Sequence, residues 1–135
     1  MANFGKASLE KLATCDPLLQ RLFGEVVKHF DCVVLCGHRG EREQTAAVKA
    51  GNSKTPYPKS KHNSMPSKGI DVGPYERPEK PIDWDDIHRI CMFSGFVLGV
   101  AKLMNISVRW GGDWDRDTQL KDNTFDDLVH FEIVD

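Results

Sequence analysis

Residues 106–134 read ISVRWGGDWDRDTQLKDNTFDDLVHFEIV, and this stretch decides the fold class. Ile106 to Trp110 alternates apolar and polar residues as a strand does, Gly111 to Asp115 turns the chain away, and Arg116 to Asp126 is a polar loop. Leu128 to Val134 forms a last strand. Its period of two puts Val129, Phe131 and Ile133 on one face, and His130 and Glu132 together on the other. No helical segment separates the two strands, so they pair antiparallel and the fold is α+β, not a wound parallel sheet.

The rest of the chain supplies helices to cover that sheet. Asp16-Pro17 is a helix start, with a capping carboxylate followed by proline where a missing N–H costs nothing. Leu18, Leu19, Leu22, Phe23, Val26, Val27 and Phe30 then recur at helical spacing, and a small helix around Ser8 to Thr14 precedes them. Cys32 to Cys36 (CVVLC) suits a short buried strand, ended by Gly37 to Gly40. Glu41 to Ala50 has helical composition, and Gly51 to Lys61 is a loop. Gly69 to Gly73 (GIDVG) alternates so that Ile70 and Val72 meet the core while Asp71 faces a cleft. Asp83 is expected to cap a helix, with Asp86 answering back, that runs to about Met104 and ends at Asn105.

Composition excludes several function classes. The chain has 135 residues, enough for one domain with a genuine core and no second domain. Its 18 Lys+Arg against 20 Asp+Glu give a net charge of −2, with no basic run that would release phosphate counterions, so nucleic acid is not expected as a partner. No stretch has the length of a signal peptide core or a membrane span, which points to cytoplasmic synthesis without membrane insertion. The four cysteines fit no metal-binding spacing and are read as reduced.

Three groups that suit a divalent metal stand on short, well-placed elements: His62, Asp71 nine residues on, and His130. Two neutral imidazoles and one carboxylate leave a fourth tetrahedral position open, the arrangement of a hydrolytic zinc site. Such a site needs a proton acceptor, and Asp127, at the loop-to-strand junction, can serve without being a ligand. Glu132 competes as a base, as a partner holding the imidazole, or as a substrate contact. His29, His38 and His88 have no partner at ligand spacing. Trp84, Trp110 and Trp114 either line a sugar–peptide groove or join the core, and Asp113 orders the Gly111-Gly112 turn.

Ser60-Lys61-His62, Gly69-Ile70-Asp71 and Asp127-Leu128-Val129-His130, in this order, resemble the signature of the VanY-type zinc D,D- and L,D-peptidases of bacterial cell wall. Gly37-His38-Arg39 with Gln44, and Trp110-Gly111-Gly112-Asp113-Trp114, extend the likeness to nearly the whole chain. It is greatest to small bacteriophage endolysins with L-alanyl-D-glutamate peptidase activity. One departure is the His62 to Asp71 spacing, two residues longer than the commonest in the family, so residues 63–68 are expected to bulge.

The resemblance implies a small, mainly antiparallel sheet packed against helices, with the metal cleft on the sheet, as in hedgehog and D,D-peptidase folds. It implies one Zn²⁺ on His62, Asp71 and His130, Asp127 as base, and Arg39 on the substrate carbonyl or carboxylate. Ser60 either contacts Asp71 or the substrate or forms a turn, and Gln44 either assists Arg39 at the substrate or faces solvent. The expected partner is the peptidoglycan stem peptide. The chain is read as a monomer that lyses a Gram-negative host from inside, reaching the wall through a holin-like membrane lesion. A D-alanyl-D-alanine carboxypeptidase or dipeptidase, or a non-catalytic zinc-containing peptidoglycan-binding module, is the alternative.

Overall fold

A computed structural model describes residues 2–134. Helix α1 (Lys6–Leu12) and helix α2 (Pro17–His29) lead into strand β1 (Cys32–Cys36) and helix α3 (Glu41–Lys49). Strand β2 (Gly69–Pro74), helix α4 (Ile87–Leu103), strand β3 (Val108–Gly111) and strand β4 (Asp127–Ile133) follow. The four strands form one fully antiparallel sheet in the order β1-β2-β4-β3. The fold is α+β, with the last two strands paired as the sequence requires. Among the described residues no helix is long and apolar enough to cross a membrane.

The helices form where capping and periodicity place them. Asp16 accepts a hydrogen bond from the Leu18 N–H at 2.8 Å, Pro17 opens α2, and Leu19, Leu22, Phe23, Val26 and Val27 are buried along one side. Helix α4 begins later than Asp83 suggests. Lys80 pairs with Asp83 at 3.2 Å and Ile82 is buried, which holds this segment in a turn; Asp86 is then the cap, accepting from the Arg89 N–H at 3.1 Å. Asn105, at φ 60°, ends the helix in the left-handed conformation that asparagine tolerates.

Helices α2 and α4 converge on one strand residue. Phe131 is fully buried, with the Phe23 ring edge-on at 5.5 Å and the Phe93 ring at 6.5 Å. Burying such a side chain contributes about 2–3 kcal/mol. Ile70 and Val72 of β2 join the same core. Pairing of Ile70 with Phe131 and of Asp71 with His130 then sends both polar residues to the far face of the sheet.

Strand β4 is regular only in its second half. Trp110 pairs with Phe131 but Gly111 pairs with Asp127, a register shift that breaks the alternation between them. Val129 therefore does not sit with Phe131 and Ile133 in the main core, as simple alternation predicts; it is buried in the wall of a cavity that Asp127 also lines. The shift needs glycine at 111, because a Cβ there would run into the Asp127 carbonyl. Gly111→Ala is expected to destabilise the protein by about 1–3 kcal/mol through overpacking. Gly95→Ala, on exposed α4 surface with nothing within 4 Å of its Cβ, is expected to stabilise it by about 0.5–1 kcal/mol. Urea unfolding of the two variants measures both.

Candidate functional site

His62 stands on a single 3₁₀ turn, Lys61–Asn63, that the sequence closes on itself. The Ser60 hydroxyl accepts from the His62 N–H at 3.2 Å, and Asn63 Oδ1 accepts from the Ser60 N–H at 3.0 Å. Ser60 is thus a turn-capping serine with no bond to Asp71, although it also lines the cleft. The longer His62-to-Asp71 spacing is absorbed where the bulge was expected. Ser67 docks on the start of α2, donating its N–H to Thr14 O and accepting from the Asp16 N–H, each at 2.8 Å. Gly69 lets the turn lie on the sheet; a Cβ there would stand 3.1 Å from His130 Cε1 and 3.2 Å from His62 N.

His62, Asp71 and His130 come together in the cleft. His62 Nε2, His130 Nδ1 and Asp71 Oδ1 form a triangle with sides of 3.1, 3.1 and 3.2 Å. The outward nitrogen of each imidazole has a fixed acceptor: His62 Nδ1 donates to Gly37 O at 2.7 Å, and His130 Nε2 to Glu132 Oε1 at 2.9 Å. These bonds fix each ring so that its second nitrogen faces the centre. Burial opposes a positive charge on either imidazole, yet the hydrogen bonds and charge of Asp71 outweigh it and raise both pKa values. The Asp71 carboxyl is held well below the usual range by those same imidazoles, against its own burial.

The outer carboxylate oxygens around the triangle have cationic partners, although Arg109 Nε is itself buried without a hydrogen-bond partner. Asp71 Oδ2 accepts from Arg39 Nη2 at 3.2 Å. Glu132 pairs across the strands with Arg109, whose Nη1 is 3.6 Å from Oε2. Glu132 is buried, which favours its neutral form, but the His130 hydrogen bond and the His130 and Arg109 charges overcome this and keep its pKa low. With its acceptors committed, Glu132 holds the His130 ring. Asp127 is different: burial and the Asp71 charge push its carboxyl up to about 6. Asp127 and Arg39 line both cavities of the cleft, one of about 470 Å³ and one of about 360 Å³.

Gln44 is neither solvent-facing nor free to meet a substrate. It is fully buried; Oε1 accepts from Arg39 Nη1 at 3.2 Å and Asn63 Nδ2 at 3.3 Å, while Nε2 donates to Thr55 O at 2.6 Å and Ser53 Oγ at 2.9 Å. It fastens the loop after α3 to Arg39. Asn63 and Arg109 escape sequence reasoning although each adjoins a site motif, because their roles depend on partners distant in sequence. The Arg109 contribution follows only from its register opposite Glu132.

The tryptophans divide. Trp110 is core, donating to Leu128 O at 2.8 Å; Trp114 lies in the cleft, its ring 5.7 Å from that of His130; Trp84 is exposed at the cleft mouth. Asp113 orders the following loop, accepting from the Thr118 N–H at 2.9 Å. His38 bonds Ser64 O at 3.0 Å outside the triangle, His29 pairs with Glu25, and all four cysteines are free thiols. Cys36 Sγ lies 4.0 Å from His62 Nδ1.

The chain matches the family described as phage L-alanyl-D-glutamate peptidase over residues 1–134. It belongs to that family. No curated protein matches the chain. Among solved structures, the crystal structure of an L-Ala D-Glu endopeptidase of Serratia marcescens has the same fold. The TM-score is 0.70 at 24% identity, over 98% of this chain and 90% of that one. Membership makes the chain a peptidoglycan peptidase of phage type.

The buried Gln44 network carries a prediction. Gln44→Met keeps the volume but strands Thr55 O and one Arg39 donor, and is expected to cost about 2–4 kcal/mol. Thermal unfolding gives the value, and a loss under about 0.5 kcal/mol would contradict the network.

Proposed function

We propose that this peptidase cleaves the L-alanyl-D-glutamate bond with one zinc ion held by His62 Nε2, Asp71 Oδ1 and His130 Nδ1. The observation that carries the reading is the triangle of atoms that Gly37 O and Glu132 orient inward, each able to serve as a metal ligand once deprotonated. The N, N, O donor set and its spacing fit the ion, since donors around a tetrahedral zinc stand roughly 3.4 Å apart. Bound there, zinc supplies Lewis acidity, polarising the scissile carbonyl and lowering the pKa of a water toward about 7.

The chain's own groups do the rest. Arg39, anchored by Asp71 and Gln44, turns its remaining N–H donors into the cleft toward the carbonyl oxygen as negative charge develops on it. Asp127 takes a proton from the attacking water and returns it to the departing amine as the C–N bond breaks. Its raised pKa suits both directions of transfer. Glu132 and Arg109 keep His130 in the tautomer that leaves Nδ1 free. At the biological level the reading is host lysis by a monomer that reaches the wall from the cytoplasm after a holin-type lesion.

The imidazole nitrogens facing each other are 3.1 Å apart, room for one hydrogen between them. A zinc ion held by His62, Asp71 and His130 would take the place of that proton. Calorimetric titration of the metal-free protein at pH 7, in buffers of different ionisation enthalpy, is expected to show about one proton released per ion. Affinity should fall about tenfold per pH unit below that. Binding without proton release would sink the ligand assignment.

Asp127→Asn separates catalysis from stability. A carboxyl whose folded pKa is raised contributes stability below its unfolded pKa and loses it as pH rises through about 6. The metal-free variant should therefore match the parent near pH 4 and exceed it at pH 7 by about 1–3 kcal/mol in calorimetric unfolding. On purified wall fragments the zinc-loaded parent is expected to create new ends at alanine and glutamate by mass spectrometry, and the variant none. Release of terminal D-alanine by the parent would overturn the bond assignment.

A further inference from the structure

The cleft has two arms of opposite character that meet at Arg39, Asn52, Phe125 and Asp127. The larger arm is walled by Leu35, Trp84, Ile87, Ile90 and Val129, and its remaining charged side chain beyond the junction and Asp71 is the acidic Asp126. At its mouth Trp84 is 54% exposed and Ile87 46% exposed, an aromatic and an aliphatic side chain left in water beside a reaction centre. The smaller arm carries Lys54, Lys59 and Lys61. Among the described residues none of these lysines has a carboxylate oxygen within 4.0 Å, and of the two acids in that arm Asp127 stands at the junction while Glu132 is paired with His130 and Arg109. Lys54 is held over the Phe125 ring at 4.9 Å, and Phe125 belongs to both arms, so one unpaired ammonium stands at the junction itself.

The scissile bond has a matching asymmetry. On its acyl side is alanine, a methyl group on an uncharged unit when its nitrogen is acylated. On its amine side is glutamate, which has two carboxyls; whichever one continues the peptide, the other remains as a free carboxylate near the departing nitrogen. Beyond Arg39 at the junction, which both arms share, a carboxylate in the larger arm would face Asp126 and apolar walls with no cation of that arm's own to offset its desolvation. In the smaller arm it meets unpaired ammonium groups.

We propose that the cleft binds its substrate in one direction, with the acylated alanine in the Trp84 arm and the free carboxylate of the glutamate on Lys54, Lys59 and Lys61. This inference rests on the hydrolytic reading of the centre between the arms. It makes the three lysines specificity determinants that tell a free glutamate from its amidated form. Trp84 is an apolar platform indifferent to that difference.

The test uses two synthetic peptides, N-acetyl-L-alanyl-D-glutamyl-L-lysine joined through the glutamate side chain, and the same peptide with the free carboxylate converted to carboxamide. Turnover by the zinc-loaded parent tests the hydrolytic reading; if neither peptide is cut, that reading fails. Binding to the zinc-loaded Asp127→Asn protein tests the direction whether or not turnover occurs. The carboxylate peptide is expected to bind about 10- to 100-fold more tightly than the amide, the range of a charged hydrogen bond. Replacing Lys54, Lys59 and Lys61 together by Gln should bring that ratio to near one by weakening the carboxylate peptide alone. Trp84→Ala should weaken both peptides equally and keep the ratio. Equal binding of the two peptides to the Asp127→Asn protein, or a ratio unchanged by loss of the lysines, would overturn the proposal.

Discussion

The two-residue alternation of β2 and β4, locked by what lies on the core side, is the constraint on which the rest of the site depends. Ile70 and Phe131 are fully buried and directly paired, so neither strand can slip by one residue without turning a large apolar side chain into the cleft and a charged one into the core. Asp71 and His130 inherit their position from that prohibition. The aromatic cluster of Phe23, Phe93 and Phe131 is accordingly as much a part of the functional geometry as the polar groups themselves.

The polar triangle makes the opposite demand on the fold. Buried ionisable groups are costly unless each is paired, and here each is paired twice. Asp71 divides its oxygens between the imidazoles and Arg39, while the imidazoles divide their nitrogens between Asp71 and an outer acceptor. Two donors of the same kind, His62 Nε2 and His130 Nδ1, nevertheless face each other, and only one hydrogen fits between them. A cation held by the three residues, as proposed above, would remove that residual conflict.

How much of this is legible in the sequence depends on the range of the interaction that decides it. Asp71 and His130 are readable because a strand's period is local, and the antiparallel pairing of the last strands because a missing crossover helix is visible. The start of α4 is not readable from caps alone: Asp83 and Asp86 are both competent, and the choice is made by Ile82 and Lys80 packing the earlier segment down. Gln44 looks like an ordinary polar helix residue, and its burial is imposed by Arg39, Asn63 and Thr55 arriving from three other segments. Arg109 is chosen by cross-strand register alone. Motif order exposes the proposed ligands; the residues that hold them depend on contacts the chain makes only when folded.

The register shift in β4 explains how one short strand can carry two jobs. Strict alternation would point residues 127 and 130 to opposite sides, because their separation is odd. The shift at Trp110 and Gly111 lets Asp127 turn into the cleft while His130 stays in the regular ladder beside Asp71. His130, the proposed ligand, thus rests on the part of the strand fixed by Phe131, and Asp127, the proposed proton carrier, on the part released from it. Asp127 is set in the cleft by the loop that precedes it and by Gly111 opposite, without disturbing the triangle. Separating residues 127 and 130 along the strand in this way requires a glycine at position 111, since any Cβ there would occupy the space of the Asp127 carbonyl.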